Sequence, residues 1–202
     1  MSINRETFYS LYIHHFGIIQ HQSVVDGLNF ILDSMYGEYK FDYQSHESSF
    51  LAQIKHETGG LFQPITERGS KEYFNKYEPD TQIGKNLGNR HIGDGYLYRG
   101  RGFLQVTGRE NYRKFSDLIM VDLISNPDKA LDPTISYKIS YYGVRAGLFT
   151  GVSFYRYMNS ARTDFKNARR VVNGLDKADK IAKDSETFNH ILSRAKADNT
   201  YG

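Results

Sequence analysis

The segment Lys55-His56-Glu57-Thr58-Gly59-Gly60 holds the most suggestive acid–base groups in the chain. Glu57 follows Ile54 by three residues and Phe50 by seven, which puts it at the edge of an apolar helix face. The Gly-Gly pair ends that helix, so Glu57 also lies in its last turn, where the macrodipole is negative. Partial burial and a negative helix end both disfavour a carboxylate, and a carboxyl that keeps its proton near neutral pH is a general acid. The spacing fits equally an exposed glutamate at a frayed helix end, paired with Lys55 or another base. A zinc-protease reading of His56-Glu57 fails, because the second histidine it needs is replaced by Gly60. His56 therefore reads as a hydrogen-bonding residue, and His14, His15, His21, His46, His91 and His190 show no ligand spacing either. No nucleophile elbow is present, and the chain has no cysteine.

An acid needs a partner if the chemistry is hydrolysis of a glycosidic bond. Glu67, in Ile65-Thr66-Glu67-Arg68-Gly69-Ser70, stands ten residues beyond Glu57, with Glu72 and Glu78 as rivals. Carboxyls roughly 6.5–9.5 Å apart leave room for a water and predict inversion at the anomeric carbon. Arg68 beside Glu67 is expected to keep that carboxylate ionised, as a base should be. A third feature runs from Gly95 to Gly108, through Tyr98-Arg99-Gly100-Arg101-Gly102-Phe103-Leu104-Gln105-Val106-Thr107. Its glycines allow close backbone approach to a ligand. Tyr98 and Arg101 are placed to stack or fork onto polar groups, and Gln105 to grip an acetamido oxygen. The short Arg-Gly-Arg-Gly run is too brief for a nucleic-acid contact, so no nucleic acid is expected as partner.

These residues have to be positioned by something, and the periodicity says helices. Val24, Leu28, Ile31 and Met35 form an apolar stripe behind a cap at Ser23. A helix over 46–58 buries Phe50, Leu51 and Ile54. Thr107 and Glu110 have capping-box spacing before Tyr112, Phe115 and Ile119. Asp132-Pro133 starts a helix through Ile135, Ile139, Tyr142, Ala146 and Phe149. Phe165, Ala168 and Val172 line a shorter one, and Phe188, Ile191 and Leu192 a last one after Asp184. From residue 59 to 106 the pattern dissolves into Gly, Asn, Asp, Tyr and Arg, which reads as a loop-rich lobe facing a cleft, with room for a short β-hairpin. The expected fold is a single, mainly α domain over residues 1–202 with that lobe inside it.

The composition agrees with a folded protein of 202 residues: 39% hydrophobic, 24% charged, four prolines. Sixteen tyrosines without a tryptophan suit a groove for sugar rings, although most are expected in the core. The net charge of +3 favours an anionic polymer without indicating nucleic acid. The start, Met1 to Glu6, has no apolar run after its positive charge and does not read as a signal peptide. No window has the roughly 18 apolar residues of a membrane span. The expectation is a protein made and kept in a cytoplasm unless something else exports it, with no stable membrane insertion.

Taken together, these motifs make the chain similar to glycoside hydrolase family 19, the plant-type chitinases, and especially to their lysozyme-like relatives among phage endolysins and bacterial cell-wall hydrolases. The resemblance runs from about Phe50 to Gly174. It is carried by Ala52 to Gly60, by Leu87-Gly88-Asn89 with Gly93-Asp94-Gly95, by Tyr98 to Tyr112, by Asp122 to Asp128 and by Val171-Val172-Asn173-Gly174. It implies a lysozyme-like helical fold and an inverting glycosidase without metal or cofactor. Glu57 would be the acid, Glu67 the second carboxylate, and Thr107 a holder of the water. Gln105 and Asn111 would bind sugar and Asn173 would line the cleft; with His56, Tyr98 and Arg101 they complete the expected substrate-binding set. Disulfides and the longer sugar-binding loops of plant members are missing, which favours bacterial peptidoglycan over a chitin-like polysaccharide. A chitinase, or a non-catalytic glycan-binding or virion protein with an inherited cleft, are the alternatives. A monomer is expected, since nothing suggests a coiled coil.

Overall fold

Asn4 opens the first helix by accepting a hydrogen bond from the Thr7 amide at 2.9 Å, in a computed structural model that describes residues 3–198. Nine α-helices follow in chain order among these residues. They are α1 (Arg5–Phe16), α2 (Gln22–Tyr36), α3 (Gln44–Glu57), α4 (Gln82–Asn86) and α5 (Asp94–Leu97). Then come α6 (Arg109–Ile119), α7 (Pro133–Ala146), α8 (Phe165–Ala168) and α9 (Ala178–Ala197). Four two-residue strands complete the list: β1 (Ile65–Thr66), β2 (Arg101–Gly102), β3 (Met158–Asn159) and β4 (Arg162–Thr163). This is the mainly α, lysozyme-like architecture expected. The described chain divides into two compact units, one from Met1–Phe62 with Val144–Gly202 and the other Gln63–Gly143.

In the first unit α3 packs against α9, and α1 packs against α9 as well. Phe50, Leu51 and Ile54 from α3 are fully buried, as are Phe188, Ile191 and Leu192 from α9. Replacing any of the large ones by Ala would cost about 2–5 kcal/mol. Tyr12, Phe16, Phe62 and Phe188 form an aromatic cluster with ring centroids 4.9–6.5 Å apart. Lys55 clamps α3 to α9 through Asp184 at 2.8 Å. That contact corrects one expectation: Asp184 does not precede the last helix but lies inside it, since α9 already begins at Ala178. Ser23 is likewise inside α2 rather than its cap, which is His21. Phe149 lies beyond α7, which ends at Ala146 before the left-handed Gly147. The Asp132 carboxylate does start α7, accepting from the Ile135 amide at 3.0 Å.

The second unit replaces regular structure with side-chain anchors. Within 59–106 Arg101 and Val106 exchange both backbone hydrogen bonds across a tight antiparallel turn, and β1 pairs antiparallel with the distant β2, Ile65 opposite Gly102. A further short pair is β3 with β4. The expected capping box is absent. Gly108 with φ 88° is the N-cap of α6, the Thr107 hydroxyl donates to the Gln105 carbonyl, and Glu110 turns to Arg113.

Two buried ionic groups hold this unit's loops. Arg109 forks onto Asp94, Nε to Oδ2 at 2.7 Å and Nη2 to Oδ1 at 2.6 Å, and lies 4.6 Å over the Tyr98 ring. Asp94 Oδ2 also accepts from the Arg90 and His91 amides. Burial alone would push this carboxyl up, but the Arg109 side chain and the two amides outweigh it and hold it at about 2. An unfolded aspartate titrates near ~3.9. The fold therefore gains about 2 to 3 kcal/mol above that pH, and loses it as pH falls from ~4 through ~2. Removing one partner of so buried a pair is costly. Asp94→Asn is expected to lower the stability measured by urea unfolding at pH 7 by about 3–5 kcal/mol and to flatten the loss of stability between pH 4 and 2; a variant that unfolds like the parent at both pH values would contradict this account.

Candidate active site

The expected site residues fall into two groups, one in each unit. In the first, Glu57 is the last residue of α3 and Gln53 stands one turn before it. Arg169, from the 3-10 turn Arg169–Val171 after α8, is 1% exposed. Its Nη1 donates to Glu57 Oε1 at 2.6 Å and to Gln53 Oε1 at 2.7 Å, while Nε reaches the Asp176 carbonyl at 3.2 Å. Glu57 keeps 18% of its side chain exposed, and Oε2 takes no hydrogen bond from any described residue. One oxygen is thus fixed and the other presented. Lys55 is not the partner, being committed to Asp184. The cation beside Glu57 is Arg169. His56 is half-buried, and burial pushes its imidazole below the usual histidine value although neighbouring Glu57 pulls it up. It is neutral at pH 7. Asn173 is exposed, and its backbone amide donates to the Arg169 carbonyl at 3.0 Å.

In the second unit β1 delivers Glu67. Its amide donates to the Gly100 carbonyl at 2.8 Å, and its Oε2 accepts from the Gly100 amide at 3.1 Å. Oε1 accepts from the Tyr77 hydroxyl at 3.1 Å and lies 4.0 Å from Lys76 Nζ. Arg68 makes no ion pair with Glu67, so the expectation that it holds this carboxylate is corrected to Tyr77, Gly100 and Lys76. The rivals are occupied elsewhere: Glu78 accepts from the Gly93 amide at 2.7 Å, and Glu72 is an exposed turn residue.

Gly100 brings the group together. A Cβ at that position would meet Gln105 Oε1 at 2.8 Å, Glu67 Oε2 at 3.1 Å and Thr107 Oγ1 at 3.2 Å. Three oxygens therefore converge on the space that the missing side chain leaves open. The Thr107 hydroxyl donates to the Gln105 carbonyl, so toward this point it can only accept. Gln105 itself is in the left-handed region at φ 56°. Its Nε2 donates to the Ile65 and Gly102 carbonyls at 2.9 and 2.8 Å. Both amide protons are committed, so Gln105 cannot donate to an acetamido oxygen; only Oε1 is left, as an acceptor. Asn111 Nδ2 donates to the Thr107 carbonyl at 2.8 Å and steadies it.

Two sugar contacts expected from the sequence are not available. Tyr98 is 2% exposed, packed on Tyr112, with its hydroxyl donating to the Ile124 carbonyl. Arg101 is 3% exposed; Nε binds Asp128 and Nη1 donates to the Leu97 and Arg99 carbonyls and the Tyr112 hydroxyl. Both hold the loop instead of facing a ligand. The open surface beside Glu67 is a cleft of about 500 Å³ lined by Thr66, Arg68, Tyr96 and Arg99 among others, with the Arg99 guanidinium 4.1 Å over the Tyr96 ring. Sequence reading missed Arg169, Gln53 and Tyr77, while Gly100 belongs to the glycine run marked for close backbone approach. Of the three missed, only Gln53 carried a signal, one turn from Glu57 on the same helix.

The helical architecture defines a protein of the lysozyme-like class. The family model described as class I chitinase matches residues 39–145, and the chain belongs to that family, glycoside hydrolase family 19. A glycosyl hydrolase family 19 domain-containing protein of Haemophilus influenzae is 29% identical over 119 residues, covering 45% of this chain and 60% of its own length. Endochitinase 1 of Theobroma cacao is 34% identical over 99 residues, covering 47% of this chain and 31% of the plant protein. The chain thus spans well under two thirds of these relatives. Chitinase C from Streptomyces griseus HUT6037 shares the fold with a TM-score of 0.61 and 22% identity, over 95% of this chain and 92% of that one.

Gly100→Ala tests the oxygen cluster directly. The new methyl meets the ends of flexible side chains, so the fold is expected to survive, with Tm within about 5 °C of the parent. Displacing Glu67 and Thr107 is expected to lower glycosidase turnover by about a hundredfold or more. Unchanged turnover would show that these oxygens do not act on the reacting water.

Proposed function

We propose that the chain hydrolyses β-1,4 bonds between the N-acetylated amino sugars of bacterial peptidoglycan by a single displacement. The observation that carries this reading is the grouping of Glu67 Oε2 and Thr107 Oγ1 around Gly100. Both are acceptors there, so a water bound to them has both protons engaged and a lone pair turned to the sugar. Glu67 then takes the proton as that water attacks. Glu57 supplies a proton to the departing glycosidic oxygen, its carboxyl held in one rotamer by Arg169. Asn111 and Gln105 steady Thr107 and the water, and His56 and Asn173 border the sugar chain.

Peptidoglycan is favoured over chitin by charge. Arg68 and Arg99 line the Glu67 cleft and form no ion pair among the described residues. Chitin is neutral and offers them only hydroxyl and acetamido acceptors, whereas peptidoglycan also carries carboxylates. The endochitinase names of the plant relatives favour the second reading, a chitinase.

Lysis of outer-membrane-permeabilised bacteria is expected to fall at least about a hundredfold in Glu57→Gln and in Glu67→Gln, with circular dichroism unchanged. Mass spectrometry of digested murein should find new reducing-end sugars, and proton NMR of fresh product should show the inverted anomer. A retained anomer would exclude single displacement, and oligosaccharides released from chitin alone would transfer the assignment to the chitinase.

A further inference from the structure

The first unit contains a second cationic pocket, of whose lining the proposed mechanism uses only Asn173. It encloses about 400 Å³ and is lined by Thr150, Arg156, Tyr157, Arg170 and Asn173 among others. A third guanidinium, Arg162, lies 5.7 Å from the centre of the Tyr157 ring and donates to the Arg156 carbonyl at 2.5 Å. None of these three arginines forms an ion pair among the described residues. The nearest acid in sequence, Asp164, caps α8, its carboxylate accepting from the Asn167 amide and side chain, and it also feels the charge of Arg162. The frame around the arginines is fixed. Thr150 Oγ1 donates to the Arg170 carbonyl at 2.7 Å, Arg170 Nε donates to Asn167 Oδ1 at 3.2 Å, and the Asp164 amide donates to the Tyr157 carbonyl at 3.0 Å. Asn173 has its Oδ1 engaged by the Gly174 amide, which leaves its amide protons to donate.

The charged groups lining this pocket are the two guanidiniums of Arg156 and Arg170, with the Asn173 amide as a further donor and the Tyr157 and Thr150 hydroxyls able to accept as well. Guanidinium groups are forks that match a planar carboxylate. Neither lining arginine has an ion-pair partner among the described residues, and an anionic ligand would neutralise them. We infer that this pocket binds a carboxylate of the peptide that substitutes the glycan strand, so that it selects peptide-bearing over bare polymer. The inference rests on the peptidoglycan reading, because chitin has no such group, and it adds a recognition site on the Asn173 side of the chain.

Binding separates the two ideas. The full chain carrying Glu57→Gln is titrated calorimetrically with a soluble disaccharide–peptide and with the same compound after its carboxyls are converted to amides. The free-acid form is expected to bind roughly tenfold or more tightly, and this preference is expected to vanish when Arg156→Gln and Arg170→Gln are added. Both positions are exposed, and the double variant of the active enzyme is expected to keep its turnover on peptide-stripped glycan strands while its KM on intact murein rises roughly tenfold. Equal affinity for acid and amide, the same preference in the double variant, or tighter binding of inorganic phosphate than of the peptide would each overturn the assignment. If the parent enzyme fails to cleave murein at all, the hydrolytic reading falls, and the calorimetry still reports on the pocket.

Discussion

The fork of Arg109 on Asp94 is the constraint from which the Glu67 side of the protein is built. Residues 87–108 have almost no ladder of their own, yet their amides and carbonyls need partners once buried. Asp94 collects two of those amides, and Arg109 neutralises the carboxylate that does so. Arg101 performs the complementary task for carbonyls, taking Leu97 and Arg99 onto one nitrogen. Arg169 repeats the solution in the other unit, between Gln53, Glu57 and the Asp176 carbonyl. Such groups add little stability over a well-packed apolar substitute, but they tolerate few geometries. Here that intolerance is useful, because the loop has to place oxygen atoms rather than fill volume.

The tolerance is narrow around Gly100. Glu67 is tied to it twice, through the backbone pair of β1 with the loop and through its carboxylate. Gln105 adopts a left-handed conformation that costs a non-glycine residue about 1–3 kcal/mol, and its two side-chain hydrogen bonds compensate. The result is a carboxylate and a hydroxyl whose lone pairs converge before any ligand arrives. Preorganisation of this kind is where polar catalysis draws most of its strength, since the dipoles need no reorganisation during the reaction.

The helices were legible because burial on one face leaves a period in the sequence. Phe50, Leu51 and Ile54 announce α3, and Gly59 and Gly60, both with positive φ, mark its end. Glu57 was legible for the same reason, as the last residue of a recognisable face. The loops were not, because hydrogen bonds to carbonyls have no period. Tyr98 and Arg101 look like ligand contacts in a glycine-rich run, and nothing local distinguishes an arginine that faces a sugar from one that satisfies three backbone neighbours. Arg169 is separated from Glu57 by 112 residues, so its role exists only in three dimensions. Thr107 and Glu110 have capping-box spacing, but the glycine between threonine and helix takes the cap and frees the hydroxyl for the site.

The tyrosines carry the last step of the argument. Tyr12, Tyr39, Tyr98, Tyr112, Tyr137, Tyr141 and Tyr157 are buried, seven of the fifteen described tyrosines, so the core takes about half of them rather than the majority expected from composition. Those left at the surface near Glu67 are paired with cations: Lys76 lies 3.5 Å over Tyr73, and Lys71 and Arg99 approach Tyr96. A bare aromatic face stacks on any sugar ring, neutral or charged. One already covered by a cation presents charge instead, and rewards a polymer that brings anions with it. The same combination recurs at Tyr157 with Arg162 in the other unit. On the reading proposed above, rings covered by cations, such as Tyr96 under Arg99, favour a wall glycan bearing carboxylates over an uncharged amino-sugar polymer.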